Sequence, residues 1–282
     1  MTTASPLEQI TDSMRIPTLS ASVERIRAVL AKPDVEMTEV VAAFQTDPPL
    51  AAKVLKIANS VSYGRQSKTT SLQSAIPALG LRTLSMIVLR AGVLAAYENT
   101  PDCEQFSLKD LWKHSTLTAQ VSENLARRCR RRKSDMSPQD YYTCGLLHDI
   151  GKIVLYDNLG EQYLEVLSAA RTGAEGLEAE ETRLLGMNHA DAGSVAAVLW
   201  RLPEPIPGVI RCHHKAAAWG DMADTVKIIA CADEIANAVA AAGSNDPKAV
   251  LAQVHTRPLG IGEAELLQVI ADATASRETI EI

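Results

Sequence analysis

Apolar residues along this chain recur at spacings of three and four and almost nowhere at two, a pattern that predicts helices throughout. Ser20 stands ahead of Val23, Ile26, Val29 and Leu30, an N-cap followed by one apolar stripe. Asp47-Pro48-Pro49 is a helix opening, and Leu50, Val54, Leu55 and Ile57 supply the apolar face behind it. From Leu84 to Ala96 polar positions thin out, which predicts a helix buried on most sides. Thr100-Pro101-Asp102 then breaks the pattern and marks the expected boundary between an N-terminal helical lobe, residues 1–100, and a second region, residues 101–282.

In that second region Ser107-x-x-Asp110 starts a helix that runs to a basic cluster at Arg127–Lys133. Ser137-Pro138 begins the helix expected to carry His148 and Asp149, and further helices are expected from about Glu161, Glu175, Asn188, Pro205, Ala223 and Gly262. With no convincing strand pattern and no short tandem repeat, the expected fold is all-α.

Composition agrees, since 46% of residues are hydrophobic but only 4% aromatic, a balance that favours helices over strands. A net charge of −6 argues against general nucleic-acid binding. Arg127, Arg128, Arg130, Arg131, Arg132 and Lys133 would attract phosphates, but without interleaved aromatics they read as a cationic helix end. Five scattered cysteines without a Cys-x-x-Cys pair read as reduced thiols. The N-terminal residues lack a signal-peptide pattern, and charged or polar residues break the apolar stretches before membrane-spanning length. The expected location is the cytoplasm, away from a membrane.

The chemistry concentrates in one ordered series: His114, His148-Asp149, His189, His213-His214 and Asp233. It takes in five of the chain's six histidines, and His255 alone stands outside it. Imidazoles and carboxylates brought together from separate helices are what a two-metal site requires. Asp233 would share a helix face with Val226, Ile229, Ala236 and Ala240, where an uncompensated carboxylate is costly. Adjacent ligands such as His148 and Asp149 would leave a helix about 100° apart, so that the carboxylate could bridge two ions. Lys152, one turn on, either contacts a substrate phosphate or snorkels to the surface. Gly151 either permits a close helix approach or marks a kink, and His189 follows a plausible N-cap, Asn188. His114 has a core-histidine alternative beside Leu117 and Val121, and Asp110 is explained more simply by the cap at Ser107 than as a further ligand. Mixed N/O ligation suits iron, manganese, zinc or cobalt better than magnesium alone, and the matching chemistry is hydrolysis of a phosphate ester.

The order His … His-Asp … Asp resembles the HD superfamily of metal-dependent phosphohydrolases. Glu39–Ser60, Ser71–Arg82, Leu111–Ser115, Gly145–Lys152, Asn188–Gly193 and Trp200–Pro203 together resemble the HDOD family, the HD-related output domains of bacterial signalling proteins. The resemblance implies an HD-type helical bundle preceded by a helical lobe. By likeness to the HD-GYP phosphodiesterases it also implies His114, His148, Asp149, His189, His213, His214 and Asp233 as ligands of one or two divalent ions. In the same likeness Asp149 and Lys152 would be the catalytic pair, with Lys152 on a substrate phosphate. The chain departs from that group after His213-His214, where Lys215–Gly220 holds no Gly-Tyr-Pro. The implied function is a signalling output module that acts on a protein partner or nucleotide ligand and can self-associate. The alternative is an active phosphodiesterase or phosphatase on a nucleotide or cyclic dinucleotide.

Overall fold

The structure, a computed structural model, describes residues 14–59, 69–129, 136–173, 175–215, 223–241, 246–256, 260–277 and 280. Every regular element among them is helical, so the fold is all-α. The chain divides into two compact units: Pro17–Asn99, and Thr100–Ile282 together with the residues up to Ile16.

The Pro17–Asn99 unit holds α1 (Ala21–Leu30), α2 (Met37–Gln45), α3 (Pro48–Ala58) and α4 (Leu72–Ala96). Ser20 caps α1 by accepting the Val23 N–H, and Val23, Ile26 and Leu30 form its buried stripe. Asp47 caps α3 through the Leu50 N–H and accepts a second hydrogen bond from Ser22 Oγ at 2.7 Å, tying α1 to α3. The longest helix, α4, begins at Leu72 rather than near Leu84, and is kinked where Gly80 adopts φ 78°. That conformation favours glycine, which is why one helical pattern can carry two axes. Among the described residues α4 alone is long and apolar enough to cross a membrane, which differs from the expectation that such stretches are broken. Its apolar positions serve a core instead: Ala75, Ile76, Leu79, Leu84, Val88 and Val93 are buried where α1, α2 and α3 pack on it.

The second unit is organised around α5 (Leu108–Arg128), which is capped by Ser107 and packs on α6 (Pro138–Leu147). After α6 come α7 (Ile150–Leu159), α8 (Glu161–Thr172), α9 (Leu177–Leu185), α10 (His189–Leu199) and α11 (Ile206–Cys212). The series ends with α12 (Ala223–Ala241), α13 (Pro247–Leu251) and α14 (Glu263–Arg277). α5 is flanked by α6, α12 and α14, while α7 packs on α10 and α10 on α11. One expectation is corrected here. His148 and Asp149 do not lie within one helix: α6 ends at Leu147, His148 is its C-cap, and Asp149 is the N-cap of α7. The largely apolar stretch from Gly145 to Leu155 hides this junction, because it carries no proline or Gly-Pro break at the cap.

The α7–α10 approach depends on glycine. A Cβ on Gly151 would lie 1.7 Å from the His189 carbonyl oxygen and 2.6 Å from the Gly193 nitrogen. Only a bare backbone on α7 lets the N-terminus of α10 come so near. Arg127 pairs with Glu123 and Arg128 with Asn124 on α5, while Arg130, Arg131, Arg132 and Lys133 of the basic cluster lie outside the described residues. So does most of the segment after Lys215.

Candidate metal centre

Helices α5, α6, α7, α10, α11 and α12 bring all seven residues of the histidine–aspartate series to one place. His114 comes from the body of α5, His148 and Asp149 from the α6–α7 junction, and His189 from the first turn of α10. His213 and His214 follow the last turn of α11, and Asp233 lies within α12. The side chains of His148, Asp149, His189 and His213 are buried, His114 and Asp233 are 17% and 14% exposed, and His214 is open to solvent.

They sort into two groups that share Asp149. Asp149 Oδ2 lies 3.4 Å from both His114 Nε2 and His148 Nε2, and Asp233 Oδ1 lies 3.0 Å and 3.5 Å from the same two nitrogens. Asp149 Oδ1 instead faces His189 Nε2 at 3.3 Å and His213 Nε2 at 3.8 Å, and His214 Nε2 is 3.0 Å from His189 Nε2. Atoms bound ~2.1 Å from one cation at ordinary coordination angles are roughly 3.0–3.4 Å apart. Most of these spacings fall on or near that edge length. Each group could therefore hold one cation, with the Asp149 carboxylate between them.

The ring nitrogens are oriented for this. His148 Nδ1 donates to the Gly145 carbonyl at 2.8 Å and His213 Nδ1 to the Ile210 carbonyl at 2.5 Å, which leaves each Nε2 as a lone pair facing the centre. His189 Nδ1 is held at 2.6 Å by Glu181 Oε2, which also accepts the His189 backbone N–H at 2.8 Å. Asn237 Nδ2 donates to Asp233 Oδ1 at 2.8 Å. Two buried atoms, Asp149 Oδ1 and His213 Nε2, have no hydrogen-bond partner. Orphaned acceptors in a core are costly unless a cation satisfies them, so the residues fit a bound metal.

The electrostatics point the same way. Burial would raise the Asp149 pKa, but the surrounding His148, Lys152, His114 and His213 hold it well below the ordinary carboxylate range. Burial also opposes ionisation of Asp233, and His114 and His148 override it. For His214, desolvation against the centre and the neighbouring His213 and His189 lower the pKa, which keeps a neutral, ligating imidazole. Lys152 Nζ lies 2.6 Å from Asp149 Oδ2, and its side chain is 23% exposed. Burial would lower its pKa, yet the Asp149 and Asp233 carboxylates raise it.

Asp110 stays outside both groups and belongs to the α5 cap, where its N–H bonds Ser107 Oγ at 3.2 Å. His255 is exposed. Sequence reasoning missed Glu181, Tyr163 and Asn237. Glu181 is fully buried on α9, and Tyr163 on α8 donates its hydroxyl to Glu181 Oε1 at 2.7 Å. The one available signal was four glutamates in Glu175–Glu181, where only a helix start was expected.

Comparison with known proteins places the chain in a family. A curated protein of Treponema pallidum (strain Nichols) is 28% identical over 199 residues, 71% of this chain, and the match spans 37% of that relative's own length. A solved structure from Shewanella amazonensis SB2B, provisionally named a phosphohydrolase, is 22% identical with a TM-score of 0.78 and covers 97% of both chains. Another from Marinobacter aquaeolei VT8, provisionally named a signal transduction protein, is 19% identical with a TM-score of 0.74, covering 97% of this chain and 64% of that one. At these identities the structural likeness is one of fold. Residues 16–216 match the HDOD domain family over most of the chain, and this protein belongs to it.

Proposed function

We propose that the chain is a signalling output module whose second unit holds a binuclear metal centre, with His114, His148 and Asp233 on one ion, His189, His213 and His214 on the other, and Asp149 between them. The observation that carries this reading is the division of the Asp149 carboxylate, one oxygen toward each histidine group. The donor set of imidazoles and carboxylates suits iron, manganese or zinc. Support for a signalling role comes from membership of the HDOD family and from the fold shared with a protein provisionally named for signal transduction. The partner would be a signalling protein or a nucleotide ligand.

A second reading, hydrolysis of a phosphate ester, is favoured by one specific observation: the site has an accessible side. His214 is exposed, and the Lys152 side chain is partly exposed. When bound, two divalent cations supply Lewis-acid activation of water and of a phosphoryl oxygen. The chain's own contribution would be positional. Lys152 has three donors, of which Asp149 takes one, so the others are free to hold a phosphate oxygen. Glu181 fixes the His189 ring, and the Gly145 and Ile210 carbonyls fix those of His148 and His213.

Metal stoichiometry in single-site variants tests the first reading. His148→Ala is expected to empty one group and His189→Ala the other, each leaving about one ion per chain. Retention of the wild-type metal content by both would defeat it. Turnover of bis-p-nitrophenyl phosphate by the metal-loaded wild type, abolished in Asp149→Ala, would favour the hydrolytic reading. Metal bound without turnover would favour the module that works through binding.

A further inference from the structure

The stretch Pro48–Tyr97 contains Lys53, Lys56, Arg65, Lys68, Arg82 and Arg90 and not one aspartate or glutamate. The Pro17–Asn99 unit holds nine Lys and Arg against six Asp and Glu, within a chain of net charge −6. Three of the six acids are engaged elsewhere: Glu24 with Arg27, Glu39 with Lys32, and Asp47 with Ser22 and the Leu50 N–H. Charge is thus segregated, and the α3–α4 region is uniformly cationic.

Two of these cations are drawn into the unit. Lys53 on α3 and Arg90 on α4 are each only partly exposed, and the two helices pack together. Arg90 Nε is shut off from solvent without a hydrogen-bond partner among the described residues. Lys53 likewise has no hydrogen-bond or ion-pair partner among them. Burial, followed by the nearby Arg90 and Lys56 charges, lowers the Lys53 pKa from its ordinary value. Lys53 and Arg90, like charges partly withdrawn from water with no neutralising partner among the described residues, are destabilising, and a bound anion removes that cost.

We propose that Lys53 and Arg90 form an anion site in the N-terminal unit that binds a phosphate group of a small phosphorylated ligand. The choice of phosphate follows from charge and shape. Two cations, Lys53 and Arg90, converge here, and a carboxylate would leave one of them unmatched. A phosphate offers up to two charges and several acceptor oxygens to a guanidinium fork and an ammonium. The site shares no residue with the metal centre and does not depend on it.

The test is thermal stabilisation of the full chain by inorganic phosphate and by pyrophosphate, in phosphate-free buffer. Saturable stabilisation is expected in the wild type and in Asp149→Ala, whose metal site is damaged while its α3–α4 region is intact. Affinity is expected to fall roughly tenfold or more in Lys53→Met and in Arg90→Met, the effect of losing one charge-assisted hydrogen bond. Arg90→Met should also melt no lower than the wild type without ligand, because it removes an orphaned buried donor. Lys53→Met, on the outer helix, carries the test if Arg90→Met fails to fold. Stabilisation lost in Asp149→Ala but kept in both α3–α4 variants would overturn the proposal in favour of phosphate at the metals. Absence of any shift with either anion, or binding of a DNA oligonucleotide alone, would overturn it as well.

Discussion

Glu181 Oε2 lies 2.6 Å from His189 Nδ1 and 2.8 Å from the His189 backbone nitrogen, so one buried carboxylate fixes both the ring and the start of its helix. The other oxygen of that carboxylate accepts the Tyr163 hydroxyl. A carboxylate behind a histidine sets its tautomer, raises its basicity and aims its free nitrogen. Burial and the Glu181 charge push the Tyr163 pKa well up, so the hydroxyl remains a donor throughout the working pH range.

Glu181→Gln therefore tests the support rather than the ligands. The amide keeps the shape and can still accept hydrogen bonds, but it loses the charge that strengthens His189. Metal affinity at the His189 group is expected to fall about 10–100-fold, with helix content retained. Chelator competition on the variant measures this, and an unchanged affinity would mean that Glu181 only fills space.

Gly151→Ala is expected to act at a distance from any ligand side chain. Its Cβ would collide with the His189 carbonyl oxygen and the Gly193 nitrogen, so α10 must move away from α7. The predicted outcome is a stability loss of about 1–3 kcal/mol by overpacking. Metal should be lost preferentially from the His189, His213 and His214 group. Denaturant unfolding and metal analysis on one preparation check both effects.

Asp149→Ala removes the ligand common to both groups and leaves Lys152 without its 2.6 Å partner. Both ions should be lost while circular dichroism retains most of its helical signal. A variant that still holds two equivalents would place the metals elsewhere.

The pH dependence of the metal-free protein follows from His114. Burial alone would lower its pKa, but hydrogen bonds to Asp149 and Asp233 raise it to about 9. A histidine with a raised folded-state pKa contributes stability that is complete below its unfolded value and disappears as pH climbs through the folded one. The metal-free protein should accordingly lose stability between about pH 6.5 and pH 9. Metal uptake near pH 7.5 should release about one proton as His114 becomes a ligand. Calorimetry in buffers of different ionisation enthalpy reads that proton directly, and buffer-independent heats would contradict the assignment.

Much of this architecture is legible in the sequence for local reasons. Ser20, Asp47, Ser107, Ser137 and Asn188 announce helix starts because a cap is decided within four residues. The ligand series is legible because histidines are scarce here and two of them come as doublets with a second candidate ligand. The break between α6 and α7 was not, since Asp149 caps the new helix without a side-chain cap bond, in a mostly apolar stretch that has no proline or Gly-Pro break. Glu181 was not legible either. Its burial is set by α8 and α10 packing on α9, and nothing local marks a glutamate in Leu177–Leu185 as buried until those helices are in place. The early start of α4 was obscured by Pro77 and Gly80, residues that usually end a helix and here sit inside a kinked one.

Elemental analysis of protein purified without chelator or a nickel column tests the central claim most directly. The two groups meeting at Asp149 predict about two iron, manganese or zinc ions per chain. Less than roughly a tenth of an equivalent after reconstitution would contradict the binuclear centre and leave the converging imidazoles as a packed polar core.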